Sequence, residues 1–309
     1  MFTLREGKME FATRPLSENL GLEVLDADLA NVDDEAFDAI RAIWQKDPLL
    51  LFRRQNPTDE EFLEFSNRFG EIDVVIGGSR PSKRTPELLY ISNLFSGDGN
   101  LIGGLGNHEL VWHTDQIYRQ RPASGSIFYG VEMPSGVGMT SFCNTAAAYD
   151  ALPEDLRTRV NDARAVCKYG THEPLSSFMR KQKSKTWHRY IKSKKETKAI
   201  DDRTPPATHD MVLENKATGQ RSLYFSPNHT SAIEGMADED GQSLFDAVIE
   251  HTIQDKFIYT HDWRNGDVLL WDNARLLHHR DAFDNDLPRF AKRTTVFLDP
   301  EYFAVPELA

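Results

Sequence analysis

Two cysteines, Cys143 and Cys167, are all that a chain of 309 residues contains. So few thiols give no disulfide framework, and a reducing compartment, the cytoplasm, is the expectation. Long apolar runs are missing too. None approaches the ~20 residues needed to span a bilayer. The stretch Met1–Lys8 lacks the basic-then-apolar order of a secretory signal, so no membrane partner is expected. Positive charge is in deficit: 36 Lys and Arg stand against 48 Asp and Glu, for a formal net charge of −12. That balance favours solubility and argues against nucleic acid as a partner. No internal repeat or long linker divides the chain. What is present is an ordinary globular composition, 39% hydrophobic and 27% charged. One domain over residues 1–309 is expected, long enough to bury a sizeable core.

Apolar spacing outlines the elements. Phe37, Ile40 and Trp44 recur at helical spacing, which predicts a helix over Asp33–Trp44. Leu49–Phe52 reads as a buried strand. Thr58-Asp59-Glu60-Glu61 has the capping-box order and predicts a second helix, carrying Phe62, Phe65 and Phe69 and ending near Gly70. From about residue 108 the texture changes to short apolar segments separated by Pro, Gly, Asn and Asp. Ser126–Val131, Met139–Cys143, Met211–Glu214, Ser222–Phe225, Val268–Trp271 and Arg293–Leu298 read as strands, with helices over Ala146–Leu152 and Glu154–Val166. Many short strands with turn punctuation predict a mainly β fold with flanking helices, a barrel or double-sheet jelly roll. The segment 180–198 stands apart, with nine Lys or Arg against one acid, Glu196. Trp187, Tyr190 and Ile191 there are spaced for one face of an amphipathic helix.

The chemistry-bearing residues lie in the second half. His113 and Asp115 are two apart, so in an extended stretch both project to the same side. A distant histidine, His278 or its neighbour His279, completes a set of two imidazoles and one carboxylate. Such a set occupies one face of an octahedral ion, leaves three positions open and suits non-haem Fe(II) oxygenases. Arg289 and Arg293 follow 11 and 15 residues after His278. A buried guanidinium at that distance can hold the far carboxylate of a dicarboxylic co-substrate. Three other readings compete: an H-x-D that is only a chance pair of polar residues, a zinc hydrolase with a bound water, and a non-catalytic jelly-roll sensor.

The order and spacing of several motifs resemble the TauD/TfdA family of Fe(II)- and 2-oxoglutarate-dependent dioxygenases. Trp112-His113-Thr114-Asp115 is similar to the family's W-H-T-D. Gly138-Met139-Thr140 resembles its G-D-T, without the aspartate. Trp263-Arg264-Asn265-Gly266-Asp267 leading to Trp271-Asp272-Asn273 resembles its W-x-x-G-D and W-D-N, with Ala274 where arginine is usual. The family's ligand histidine follows that asparagine by five residues, which selects His278. The resemblance covers essentially the whole chain and implies a double-stranded β-helix (jelly roll) core. It implies Fe(II) held by His113, Asp115 and His278, 2-oxoglutarate held by Thr140 and Arg289, and O2 as oxidant, with succinate and CO2 released. It assigns Arg293 to the 2-oxoglutarate site or to an anionic substrate. Related halogenases replace the carboxylate ligand, so Asp115 implies hydroxylation, or a related desaturation or cyclisation.

The substrate is less legible. Arg293 and Trp112 suggest a small anionic metabolite. Gly97–Gly106 is expected to be a loop over the mouth. The basic segment falls where the family carries a variable lid, near 170–205. It reads either as a solvated lid or as a surface for a carrier- or coenzyme-linked substrate. The family forms homo-oligomers, and nothing in the chain selects a state.

Overall fold

In the computed structural model, residues 3–5, 8–74, 85–169, 173–186, 198 and 202–307 are described. The four residues of Leu49–Phe52 are all fully buried, which a strand permits only when both of its faces are covered. Leu49 and Leu51 point one way, into a cluster with Phe128, Phe142, Leu269 and Trp271. Leu50 and Phe52 point the other way, toward Phe37, Trp44, Phe62 and Phe65. Two layers of core therefore flank this strand.

The strands that build the two principal sheets are, in chain order, β1 Thr13–Pro15, β2 Leu22–Val24, β3 Leu49–Phe52, β4 Leu89–Ser92, β5 Gly104–Leu105 and β6 Leu110–His113. They continue as β7 Gly125–Glu132, β8 Thr140–Asn144, β9 Ile258–His261, β10 Asp267–Asp272, β11 Leu276–Arg280 and β12 Phe290–Val296. The larger sheet has the order β1-β2-β3-β10-β7-β12-β4-β5, and the smaller has β9-β8-β11-β6. The smaller sheet is wholly antiparallel. The inner core lies between the sheets, where Phe142 and Leu276 of the smaller sheet meet Leu51, Phe128 and Ala291 of the larger one. This is the double-sheet jelly roll expected from the strand pattern.

Helices α1 Asp34–Lys46 and α2 Asp59–Asn67 close the outer face of the larger sheet. The Asp33 side chain accepts from the Ala36 N–H to start α1. Thr58 and Glu61 form the expected reciprocal capping box at α2. Past α2 the chain turns at Gly70, whose φ is +151° and where a Cβ would lie 2.0 Å from the Phe297 carbonyl oxygen. The turn therefore requires glycine.

The outer face of the smaller sheet is covered by the segment between β8 and β9. It comprises α3 Thr145–Asp150, α4 Glu154–Asn161, α5 Ser177–Thr186, α6 Asp238–Thr252 and a three-stranded sheet of Arg164–Cys167, Ala207–Asp210 and Thr230–Ile233. The helix expected over Glu154–Val166 stops at Asn161. Arg164–Cys167 instead pairs on both edges, with Ala165 and Cys167 buried and Arg164 and Val166 half-buried. Trp187, Tyr190 and Ile191 lie outside the described residues. Gly97–Gly106 was expected to be a loop; its first residues form a turn, and its later part, Leu101 and Gly104–Leu105, is tied to the sheet edge. Phe95 bridges to Leu101, and β5 runs parallel to β4. Gly103 abuts Tyr90 so closely that a Cβ would lie 2.4 Å from its carbonyl oxygen.

Gly70→Ala is expected to destabilise the chain by about 2 kcal/mol or more, read as a lower urea midpoint. Gly97→Ala meets no atom within 4 Å and is expected to leave the midpoint unchanged. Equal midpoints for the two variants would contradict the backbone constraint assigned to Gly70.

Candidate active site

Strand β11 lies between β6 and β8, and its register places His278 opposite His113 on one side and opposite Phe142 on the other. Phe142 faces the inner core, so His278 and His113 do as well, while Leu277 and Cys143 face outward. Asp115 arrives differently from the extended stretch expected for H-x-D. Strand β6 ends at His113, and Asp115 begins a turn in which Gln116 has φ +55°. That turn is pinned by the Thr114 hydroxyl donating to the Asn273 carbonyl at 2.8 Å and by the Gln116 amide donating to Asp73 at 2.8 Å.

One ligand atom from each of His113, Asp115 and His278 lies within 4.8 Å of the others. His113 Nε2 stands 4.0 Å from Asp115 Oδ1, and His278 Nε2 stands 3.8 Å from Asp115 Oδ2. His113 Nδ1 is 2.7 Å from the Val111 carbonyl oxygen. A carbonyl only accepts, so the Nδ1 proton is fixed there and the Nε2 lone pair is left for a metal. His278 is oriented by packing, its ring 5.2 Å from Trp271 and 4.1 Å from His113. Burial lowers the pKa of both imidazoles, keeping them neutral as ligands must be. Burial alone would raise the Asp115 pKa. The Arg293 guanidinium beside it, with the two imidazoles and the Ser126 hydroxyl, overrides that and holds it far below the usual carboxylate range. Two neutral nitrogen donors and one ionised oxygen donor fit a divalent first-row metal.

Arg293 reaches from the larger sheet, with Nη1 3.1 Å from Asp115 Oδ1 and 3.2 Å from Oδ2. Its guanidinium thus sits on the Asp115 carboxylate. Arg289 is 1% exposed, and its Nη1 donates to the Gly138 carbonyl at 2.7 Å. Its Nε is buried without a partner, and no described acidic residue pairs with it. Burial, with Arg280 nearby, pulls its pKa down to about 9, so it is still a cation at neutral pH. Gly138, with φ +60°, makes room: a Cβ there would lie 2.9 Å from the Arg289 guanidinium. Thr140 is two residues further on, and its hydroxyl oxygen accepts from the Trp263 indole at 2.9 Å. Trp112 is not brought to this cluster. It alternates to the outer face of β6, where its ring packs 5.4 Å from His279. His279 is likewise turned away, bonded to Glu109 at 2.9 Å.

Ser126 and Asn273 complete the surroundings, and neither was singled out as a site residue from the sequence. The Ser126 hydroxyl donates to Asp115 Oδ2 at 3.0 Å, the Asn273 amide donates to Ser126 at 3.2 Å, and the Trp271 indole donates to Asn273 at 2.9 Å. A serine inside the apolar strand Ser126–Val131 is the one signal that could have pointed to Ser126. Arg275, shifted by one from the usual place, is 1% exposed and pairs with Asp272 at 2.8 Å while donating to the Trp44 carbonyl. It anchors the Trp271-Asp272-Asn273 turn to α1.

Residues 12–295 match the family described as taurine catabolism dioxygenase TauD, TfdA family. The chain is 30% identical to (S)-phenoxypropionate/alpha-ketoglutarate-dioxygenase of Sphingobium herbicidovorans, with 94% of this chain and 96% of that protein covered. It is 28% identical to pentalenolactone F synthase of Streptomyces avermitilis, covering 93% and 94%. A crystal structure of a taurine dioxygenase from Burkholderia xenovorans superposes with a TM-score of 0.73 at 26% identity, covering 97% of this chain and 95% of that one.

Burial holds His113, His209, His261 and His278 below the ordinary histidine pKa. Unfolding returns them to about 6.5. The unfolded chain then binds more protons, so their contribution is fully present above pH ~6.5 and is lost below it, at up to ~1.4 kcal/mol per pH unit for each group. Urea midpoints of the metal-free protein are expected to hold from about pH 8 down to ~6.5 and to fall steeply below. A flat profile down to about pH 5.5 would contradict the neutral state of the buried imidazoles.

Proposed function

The chain belongs to the TauD, TfdA family of taurine catabolism dioxygenases, and on that premise we propose that His113, Asp115 and His278 are its iron ligands, with Thr140 and Arg289 seating the co-substrate. The protein is an Fe(II)- and 2-oxoglutarate-dependent dioxygenase acting on a small molecule. The convergence of the three ligand atoms within 4.8 Å carries the ligand assignment. Bound at these residues, Fe(II) supplies the activation of O2 that couples conversion of 2-oxoglutarate to succinate and CO2 with oxidation of a substrate C–H bond.

The protein's own contributions are positional and electrostatic. The Val111 carbonyl fixes the His113 tautomer. Ser126, Asn273 and the Thr114 turn hold the Asp115 carboxylate, and Arg293 keeps it ionised. Arg289 offers a buried guanidinium, its Nε–H without a partner, to the distal carboxylate, and the Thr140 hydroxyl stands beside the same Gly138 turn. Burial among apolar residues excludes water, which strengthens each of these interactions.

The substrate is a small anion in this reading. Two observations support it: Arg293 has a buried Nε without a partner among the described residues, and the Sphingobium relative is named for phenoxypropionate. The reaction is hydroxylation or a related desaturation or cyclisation, and residues 1–309 form one domain. The two buried free cysteines support a cytoplasmic location.

Succinate formed from 2-oxoglutarate with Fe(II), ascorbate and air, screened over small carboxylates, tests the proposal. Asp115→Ala is expected to reduce turnover by about 100-fold or more at ordinary iron concentration, and undiminished succinate would remove Asp115 from the ligand set. Arg289→Leu is expected to raise the KM for 2-oxoglutarate by about 10- to 100-fold, the range for a hydrogen bond to a charged group. An unchanged KM would place the distal carboxylate elsewhere.

A further inference from the structure

We propose that Trp263 is a positioning residue that sets the direction of the Thr140 hydroxyl proton, aiming it at the distal carboxylate of the co-substrate. The inference rests on the assignment of Thr140 and Arg289 to that carboxylate and adds a residue to it.

The argument is one of hydrogen-bond polarity. An indole Nε1–H can only donate, whereas a hydroxyl has one proton to give and lone pairs to accept with. Trp263 Nε1 donates to Thr140 Oγ1 at 2.9 Å. One lone pair of the hydroxyl is thereby occupied, and its proton must find another acceptor. Thr140 is 7% exposed, and no described residue accepts that proton. Arg289, bound to the carbonyl of Gly138 in the same turn, likewise keeps a buried Nε–H without an acceptor. Two donors without acceptors, one in this buried turn and one on the side chain bound to it, fit a carboxylate, which only accepts. A hydroxyl freed of the indole could rotate its proton away.

The indole itself is clamped. The His261 ring meets it edge-on at 4.7 Å, the Phe128 ring lies 4.8 Å away, and a Cβ on Gly130 would come within 3.2 Å of it. His261 is held between the Tyr259 hydroxyl at 3.0 Å and Asp267 at 3.0 Å. Asp267 also takes Arg53 Nη1 at 2.6 Å and the Arg264 N–H at 2.9 Å. His261 and Asp267 are both fully buried, and the aspartate closes the Trp263–Asp267 motif. Through this series of contacts the motif fixes the direction of one N–H bond.

A double-mutant cycle on 2-oxoglutarate binding tests this, using calorimetry on the full-length protein loaded with Mn(II) under nitrogen. Trp263→Phe keeps an aromatic ring and loses the N–H. It is expected to weaken binding about 3- to 10-fold; the smaller ring is also expected to lower the unfolding midpoint, and to do so alike in every Thr140 background. Thr140→Val is expected to weaken it about 10-fold. In the Thr140→Val background Trp263→Phe is expected to have no further effect, because there is no hydroxyl left to orient. In the Thr140→Ser background, which restores a hydroxyl, its effect is expected to return. Additive losses, or a Trp263→Phe protein that binds as wild type while Thr140→Val is weakened, would overturn the positioning role and leave the co-substrate site standing. Unweakened binding by Thr140→Val would overturn both.

Discussion

The site depends on the register of one strand. Pairing of β11 with β6 and β8 fixes which alternate residues face inward, and a slip of one residue would present His279 and Leu277 in place of His278. The register is held from both faces. Leu276 is packed into the inner core, and Leu277 is packed against the outer cluster of α3, α4 and α6. Hydrophobic burial on two sides of one short strand therefore selects the metal-facing imidazole.

The larger sheet supplies the counterpart. Ser126 on β7 and Arg293 on β12 are inward-facing and meet Asp115, which the smaller sheet's turn delivers. A carboxylate buried to this degree without partners would cost several kcal/mol. Here the guanidinium, the hydroxyl and the pinned backbone offset that cost and keep the group ionised. The same logic separates Arg289, a buried cation with an unpaired N–H, from Arg275, a buried cation fully occupied by Asp272 and backbone carbonyls. Occupancy distinguishes a ligand-seeking arginine from a structural one.

Much of this was legible in the chain. The spacing of Phe37, Ile40 and Trp44, the cap at Thr58 and the all-apolar Leu49–Phe52 report local physics, and the elements formed where expected. Trp112 was read as a substrate contact, and the structure instead turns it to the outer face of its strand. Strand alternation that turns His113 inward must turn its neighbour outward, away from any substrate beside the triad. Other features were not legible, because they are set by distant contacts. Val166 left the expected helix for a strand because two partner strands flank it. The helix Asp238–Thr252 was missed for another reason: its stripe of Leu244, Phe245, Val248, Ile249 and Thr252 recurs at helical spacing and could have been read. Arg293 was assigned to substrate or co-substrate from spacing, yet its reach to Asp115 depends on how two sheets face each other, which spacing along one strand does not encode.

The most direct test of the register is Mn(II) binding followed by electron paramagnetic resonance in two neighbouring variants. His279→Ala is expected to bind one equivalent as the wild type does, because that ring points outward to Glu109. His278→Ala is expected to lose about 100-fold or more in affinity. Loss of the metal from His279→Ala with retention in His278→Ala would contradict the strand register and the site built on it.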